Sequence, residues 1–138
     1  MSNSPAQVIQ TLLTKPTDSQ HVKSLTTPDV IYVSLSENNP ELKRYLPWAG
    51  TSKGPDAIVK TFEGIGRTWE TKAFEVREVI EQNETVAMFG SFTYRGRKSG
   101  KEITSPFSLL AHVKGGKVSY IEFLEDTFGT SGTVSPKA

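Results

Sequence analysis

The most constraining feature of the chain is the punctuation of its second half. Ala73–Gln82, Thr85–Arg95, Lys101–Lys114 and Lys117–Asp126 are four extended runs rich in β-branched and aromatic residues. They are separated only by Asn83-Glu84, the stretch Gly96–Gly100, and Gly115-Gly116. A parallel pair needs a crossover of a dozen or more residues, so these strands must be antiparallel neighbours. Gly115-Gly116 suits a two-residue turn that requires positive φ.

The first half reads as helices. Val8, Ile9, Leu12 and Leu13 form one helical face in Ala6–Thr14, which Pro16 stops. Asp18 is an N-cap residue for a short helix through Leu25. Asp29–Leu35 reads as a strand, and Ser36–Lys53 as a long loop broken by Pro40, Pro47 and Gly50. Gly54-Pro55-Asp56 opens a third helix, with Ile58, Phe62, Ile65 and Trp69 along one stripe. Helices first and strands last is the α+β pattern, with helices on one face of a curved antiparallel sheet.

Alternate strand residues face opposite ways. Val86, Met88, Gly90, Phe92 and Tyr94, with Ile103, Ser105, Phe107, Leu109, Ala111 and Val113, are the more apolar sets and are placed under the helices. The opposite sets still hold Phe89 and Leu110. An apolar back face predicts a homodimer through the outer side of the sheet. In the last strand Ile121 and Phe123 resemble a core row, which puts Glu122 on the back unless a bulge re-aims it.

Composition narrows the chemistry. The 138 residues include no cysteine and two histidines, His21 and His112, and the net charge is +1. Disulfides, thiolate metal sites and a cysteine nucleophile are excluded. No metal or other cofactor is expected, nor a nucleic-acid partner, which would need a basic excess. No apolar run is long enough for a membrane helix. The N-terminus has no basic start followed by an apolar run, and a cytoplasmic location is expected. The basic run Arg95–Lys101 reads as a solvated hairpin tip.

The order helix, helix, strand, long loop, helix and meander is distinctive in combination. So are Asp18–Asp29, Gly54–Phe62, and the ending from Gly116-Lys117-Val118 to Asp126-Thr127. Over residues 6–128 the chain resembles the SnoaL-like and ketosteroid-isomerase-like proteins of the nuclear transport factor 2-like superfamily. The resemblance implies a single domain over 6–128, with 1–5 and 129–138 as flexible or docking termini. It also implies a cone-shaped, cystatin-like roll, three N-terminal helices packed on its concave face, and a pocket inside.

That family hosts isomerases, polyketide cyclases and non-enzymes, so the fold alone does not give the function. The family's base position at the end of the first strand falls on Ser34. Its donor tyrosine falls near Gln10, and its second acid near Phe107–Leu109. The standard isomerase residues are therefore absent. The remaining acid/base candidates are Asp126, which matches the Asp closing the last strand in SnoaL-like chains, with Tyr32 and Glu122. Asp126 has an equally simple local reading as a cap where the strand ends. Trp48, Phe62, Trp69, Met88, Phe92 and Phe107 are candidate walls of an apolar site for a small hydrophobic molecule. Plain core is the simpler reading for Phe62, Phe92 and Phe107, whereas Trp48 lies in a loop where no helix or strand period demands it. Three readings stay open: acid/base isomerase or cyclase chemistry on a hydrophobic carbonyl compound, non-catalytic ligand binding, and a dimeric interaction domain.

Overall fold

The computed structural model describes residues 3–134. Its elements run α1 (Pro5–Thr14), α2 (Ser19–Leu25), β1 (Thr26–Ser34), α3 (Pro40–Lys43), β2 (Gly50–Lys53), α4 (Pro55–Thr68), β3 (Trp69–Gln82), β4 (Thr85–Gly96), β5 (Glu102–Lys114), β6 (Lys117–Glu125) and α5 (Thr127–Gly132). The strands form one open sheet in the order β2-β1-β6-β5-β4-β3. The expected meander is the antiparallel run β3-β4-β5-β6, and β1 lies parallel to β6 at its far side. The expected α+β fold is thus present, with α1, α2 and α4 packed on the inner face.

Local chemistry explains the boundaries. Ser4 and Gln7 form a capping box on α1, Asp18 caps α2, and Pro55 occupies the first turn of α4. Gly54 before it has φ of 95°, a left-handed conformation that glycine adopts without steric cost. Gly115 and Gly116 both have positive φ, as their turn requires.

Three stretches differ from the sequence expectation. Trp69 begins β3 rather than continuing the helical stripe. Its amide donates to the Ile65 carbonyl, ending the helix, and its side chain still reaches the core. The loop Ser36–Lys53 holds a short helix capped by Asn39 and a four-residue strand paired with β1. Past residue 128 the chain continues in helix α5, whose Thr130 is buried, followed by buried Thr133. Small polar residues hid this helix: it carries no apolar stripe, and its anchors are hydroxyls. Residues 135–138 of the expected frayed end lie outside the described residues.

The inner face is organised in rows across the sheet. Tyr32, Ile121, Ala111 and Val86 form one; Ser34, Phe123, Leu109 and Met88 the next. Glu125, Phe107 and Gly90 follow, then Ser105, Phe92 and Phe74. These rows carry the sheet's share of the buried core, and α1, α2 and α4 supply Val8, Ile9, Leu12, Val22 and Ile58 above it. Bulges at Lys72 and Arg77 in β3 and at Ser119 in β6 shift the alternation locally. Gly90 is obligatory for a spatial reason: a Cβ there would lie 1.9 Å from the Glu75 carbonyl oxygen.

Leu35, just after β1, has φ of 68°, and the Ser36 amide donates to the Ser34 carbonyl at 2.7 Å across it. This strained γ-turn swings the chain off the sheet while keeping Leu35 buried.

Candidate functional site

Two consecutive carboxylates stand where β6 ends, Glu125 as its last residue and Asp126 just beyond it as the cap of α5, and they face opposite ways. Asp126 is exposed, and its Oδ1 accepts from the Gly129 amide at 3.0 Å, capping α5. Its own amide donates to Ser105 Oγ at 2.9 Å. Glu125 points to the inner face beside Phe107. The residue as a whole is half-buried, but Oε2 is fully buried with no hydrogen-bond partner among the described residues.

Burial pushes the Glu125 carboxyl from its ordinary 4.5 up to about 7, and the neighbouring Asp126 charge pushes the same way. The Thr130 hydroxyl opposes the shift, yet Thr130 Oγ1 completes no hydrogen bond either. The same carboxylate acts on two phenols. Tyr32 and Tyr94 are raised well above the ordinary tyrosine range, first by burial and then by Glu125. Ser34 partly offsets this at Tyr32. Glu125, Tyr32 and Tyr94 therefore form one electrostatic group inside the sheet.

Glu122 lies on the outer face, paired with Leu110 across the sheet, and accepts a hydrogen bond from Tyr120 Oη at 3.1 Å. It does not join Tyr32. The sequence pattern singled out Asp126 and Glu122 and passed over the residue between them. The available signal was parity: Glu125 shares the alternate set of Ile121 and Phe123.

Most of the aromatic candidates form one array, and Phe62 pairs separately with Tyr32. Phe107 stacks with Phe123 at 5.3 Å and with Phe74 at 4.9 Å. Phe92 meets Tyr94 at 4.1 Å, Tyr94 stacks on Trp69 at 4.9 Å, and Trp48 meets Trp69 edge-on at 5.5 Å. Phe62 stacks with Tyr32 at 6.3 Å. Met88 is buried beneath the array. The Trp69 indole donates to Thr133 Oγ1 at 2.7 Å, which ties the array to the end of α5.

An open cavity of about 1080 Å³ lies beyond Trp48, between α4, the loop before β2, the β4–β5 hairpin and Thr133. Of the six candidate wall residues only Trp48 borders it. Trp69, Met88, Phe92 and Phe107 are buried in the core, and Phe62 packs against it. Trp48 lies flat on α4 because residue 64 is glycine: a Cβ there would come within 2.9 Å of the indole. The cavity also takes in Gly96–Ser99, so the supposed solvated hairpin tip is one of its walls. The histidines take no part. His21 Nε2 lies 2.8 Å from the Thr11 carbonyl, and His112 is exposed beside Thr85.

An open, helix-covered sheet with an acid on its inner face is an architecture that holds small molecules. The SnoaL-like domain family matches residues 14–121, and the chain belongs to that family. Patulin synthesis protein F of Aspergillus clavatus is 35% identical over 124 residues, 88% of this chain. The match spans 63% of that relative's length, so the relative is substantially longer than the shared region. Among solved structures, an NTF2-like protein from Burkholderia xenovorans superposes with a TM-score of 0.82 at 18% identity, covering 98% of each chain. TerC co-crystallized with polyporic acid gives a TM-score of 0.75 at 21% identity over 94% of this chain and 97% of the other. At these identities the likeness establishes the fold. No helix among the described residues is long and apolar enough to cross a membrane.

Proposed function

We propose that this SnoaL-like domain carries out acid/base isomerase- or cyclase-type chemistry on a small hydrophobic carbonyl compound, with Glu125 as the proton shuttle. One observation carries the reading: a buried carboxyl oxygen without a partner, on a group pushed up to about 7. Leaving such a group unsatisfied costs stability, and perturbed acids of this kind concentrate at functional sites. A pKa near neutrality also suits a group that must both take and return a proton.

In the proposed step, the Glu125 carboxylate removes a proton from the carbon next to the carbonyl. Electron density moves to the oxygen, and the Tyr32 and Tyr94 hydroxyls donate hydrogen bonds to the developing enolate. Protonated Glu125 then returns the proton to another carbon, completing an isomerisation, or the enolate carbon closes a ring on a second carbonyl whose oxygen takes that proton from Glu125. Phe92, Phe107 and Met88 keep water away. Asp126 holds the end of β6 in place by capping α5. The cavity beside Trp48 is the approach, and displacement of the Trp48 edge admits substrate to the aromatic array. The small-molecule names attached to the relatives, patulin synthesis and polyporic acid, support this class of substrate.

The reading keeps two further expectations: a cytoplasmic protein, and a homodimer through the outer sheet face, where Ile80 and Phe89 are exposed. The test is proton exchange in D₂O, followed by NMR on a panel of cyclic enones and aromatic ketones. Glu125→Gln is expected to lose at least about a hundredfold in rate, the scale of a missing general base. Asp126→Asn retains the rate within a few-fold. An active Glu125→Gln protein overturns the assignment of Glu125, and an unaltered chain that exchanges no proton on any of the panel leaves ligand binding without chemistry as the function.

A further inference from the structure

The charge around the cavity is one-sided. The whole chain has 16 basic and 15 acidic residues, a net charge of +1. Yet Lys43, Lys60, Arg67, Arg97 and Lys98 all line this one cavity, and among the described residues no Asp or Glu does. The acids lie elsewhere, notably Glu70, Glu75, Glu78 and Glu81 along the exposed length of β3.

Two of the five cations are held in place from behind. Arg97 Nε donates to the Gly66 carbonyl at 2.8 Å, while Lys43 Nζ reaches the Ala49 carbonyl at 2.6 Å and the Pro47 carbonyl at 3.3 Å. The Arg97 bond fixes the guanidinium and leaves its terminal NH₂ groups without a hydrogen bond among the described residues. Lys60, Arg67 and Lys98 make no side-chain hydrogen bond or ion pair among the described residues. Like charges gathered in a concave site repel one another, and low-dielectric walls focus their field. An anion in the cavity relieves both effects. Trp48 supplies a flat apolar surface beside them.

We infer that this cavity binds a flat apolar molecule bearing an oxyanion, a carboxylate or a phosphate, with the ring body against Trp48 and the oxyanion among Lys60, Arg67, Arg97 and Lys98. The inference deepens the proposed function by naming the substrate class. It rests on that reading only for what happens after binding. Guanidinium groups offer paired N–H donors that match either oxyanion, and the lysines add point charges.

The test uses the full chain and three probes of one ring shape: 2-naphthoate, 2-naphthyl phosphate and neutral 2-naphthamide. Binding is read by quenching of tryptophan fluorescence. At low salt at least one of the two anions is expected to bind about tenfold or more tightly than the amide, and which anion wins identifies the oxyanion. The preference should shrink several-fold in about 0.5 M salt. It should also shrink in Lys60→Gln/Lys98→Gln, and further in Arg67→Gln/Arg97→Gln. The lysine pair makes no internal hydrogen bond, so its variant keeps the test valid if loss of the Arg97 bond disturbs the fold. Equal affinity for all three probes, no binding of any, or an anion preference that survives both variants overturns the inference. Glu125→Gln is expected to bind the anion like the unaltered chain. Retained binding with lost turnover in that variant separates this inference from the catalytic one.

Discussion

β4 and β3 are hydrogen-bonded neighbours in one sheet, yet they live in different environments. On β4 every second residue from Val86 to Gly96 is buried. On β3 only Trp69 is buried, and the remaining thirteen residues are exposed. Composition does not explain the difference, because β3 carries Phe74, Val76, Val79 and Ile80. Phe74 is 49% exposed and Ile80 56%. Position explains it: β4 lies between β3 and β5, whereas β3 is the edge of the sheet, paired only with β4, and α1 and α4 touch it without burying any residue but Trp69. A side chain on a strand stabilises the fold only in proportion to what is packed over it.

That contrast can be broken by substitution. Phe92→Ala, on β4, is expected to cost about 3–5 kcal/mol in urea unfolding. A loss under about 1 kcal/mol would mean that the array around Phe92 is loosely packed. The next effect belongs to Glu125 and depends on pH. Between about pH 4.5 and 7 the folded chain holds a proton that the unfolded chain has released. Stability therefore falls as pH rises through this window and levels off above it, by roughly 3 kcal/mol in total. Glu125→Gln should flatten this slope, matching the unaltered chain near pH 4 and exceeding it near pH 8. An unchanged slope would place the titration on another group.

Thr133→Val should cost about 1–3 kcal/mol, because the buried Trp69 indole loses its acceptor. That result would show the segment after α5 to be part of the folded unit. The smallest effect is expected at the uncovered edge. Ile80→Ser with Phe89→Ser should change the stability of the single chain by no more than about 0.5 kcal/mol. Light scattering should nevertheless fall from twice the 15.2 kDa chain mass to once that mass. A monomer before substitution would show that no second copy covers this face.

The sequence disclosed the fold where periodicity was doing the structural work. The meander, the turn at Gly115-Gly116 and the two faces of β4 and β5 all follow from alternation and positive-φ turns. The parallel β1–β6 pairing is a contact between distant segments, and no local pattern announces it. The same limit applies to the site. Helix α5 is anchored by threonine hydroxyls rather than an apolar stripe, so its sequence looked like a frayed end. Asp126 drew attention because acids at strand ends are conspicuous, and the structure shows why one is there: it caps α5. Glu125 stayed hidden because its importance lies in its surroundings. Its dryness depends on Phe107, Thr130 and two tyrosines contributed by other elements. The cavity draws its cations from the loop before β2, from α4 and from the β4–β5 hairpin, so no single run in the sequence contains it.

The bulge at Ser119 sets the phase of β6. On one side of it Val118 faces the core, and on the other so do Ile121 and, two steps on, Phe123 and Glu125. Were Ser119 paired into the ladder instead of bulged out, strict alternation could not keep both groups inside. Either Val118 would turn out to solvent, or the strand beyond would flip and exchange the dry glutamate for the wet aspartate. The site's acid is thus chosen by a count of paired residues as much as by their identity. Drawing Ser119 into the ladder, with every site side chain intact, is enough to change which carboxylate the interior receives.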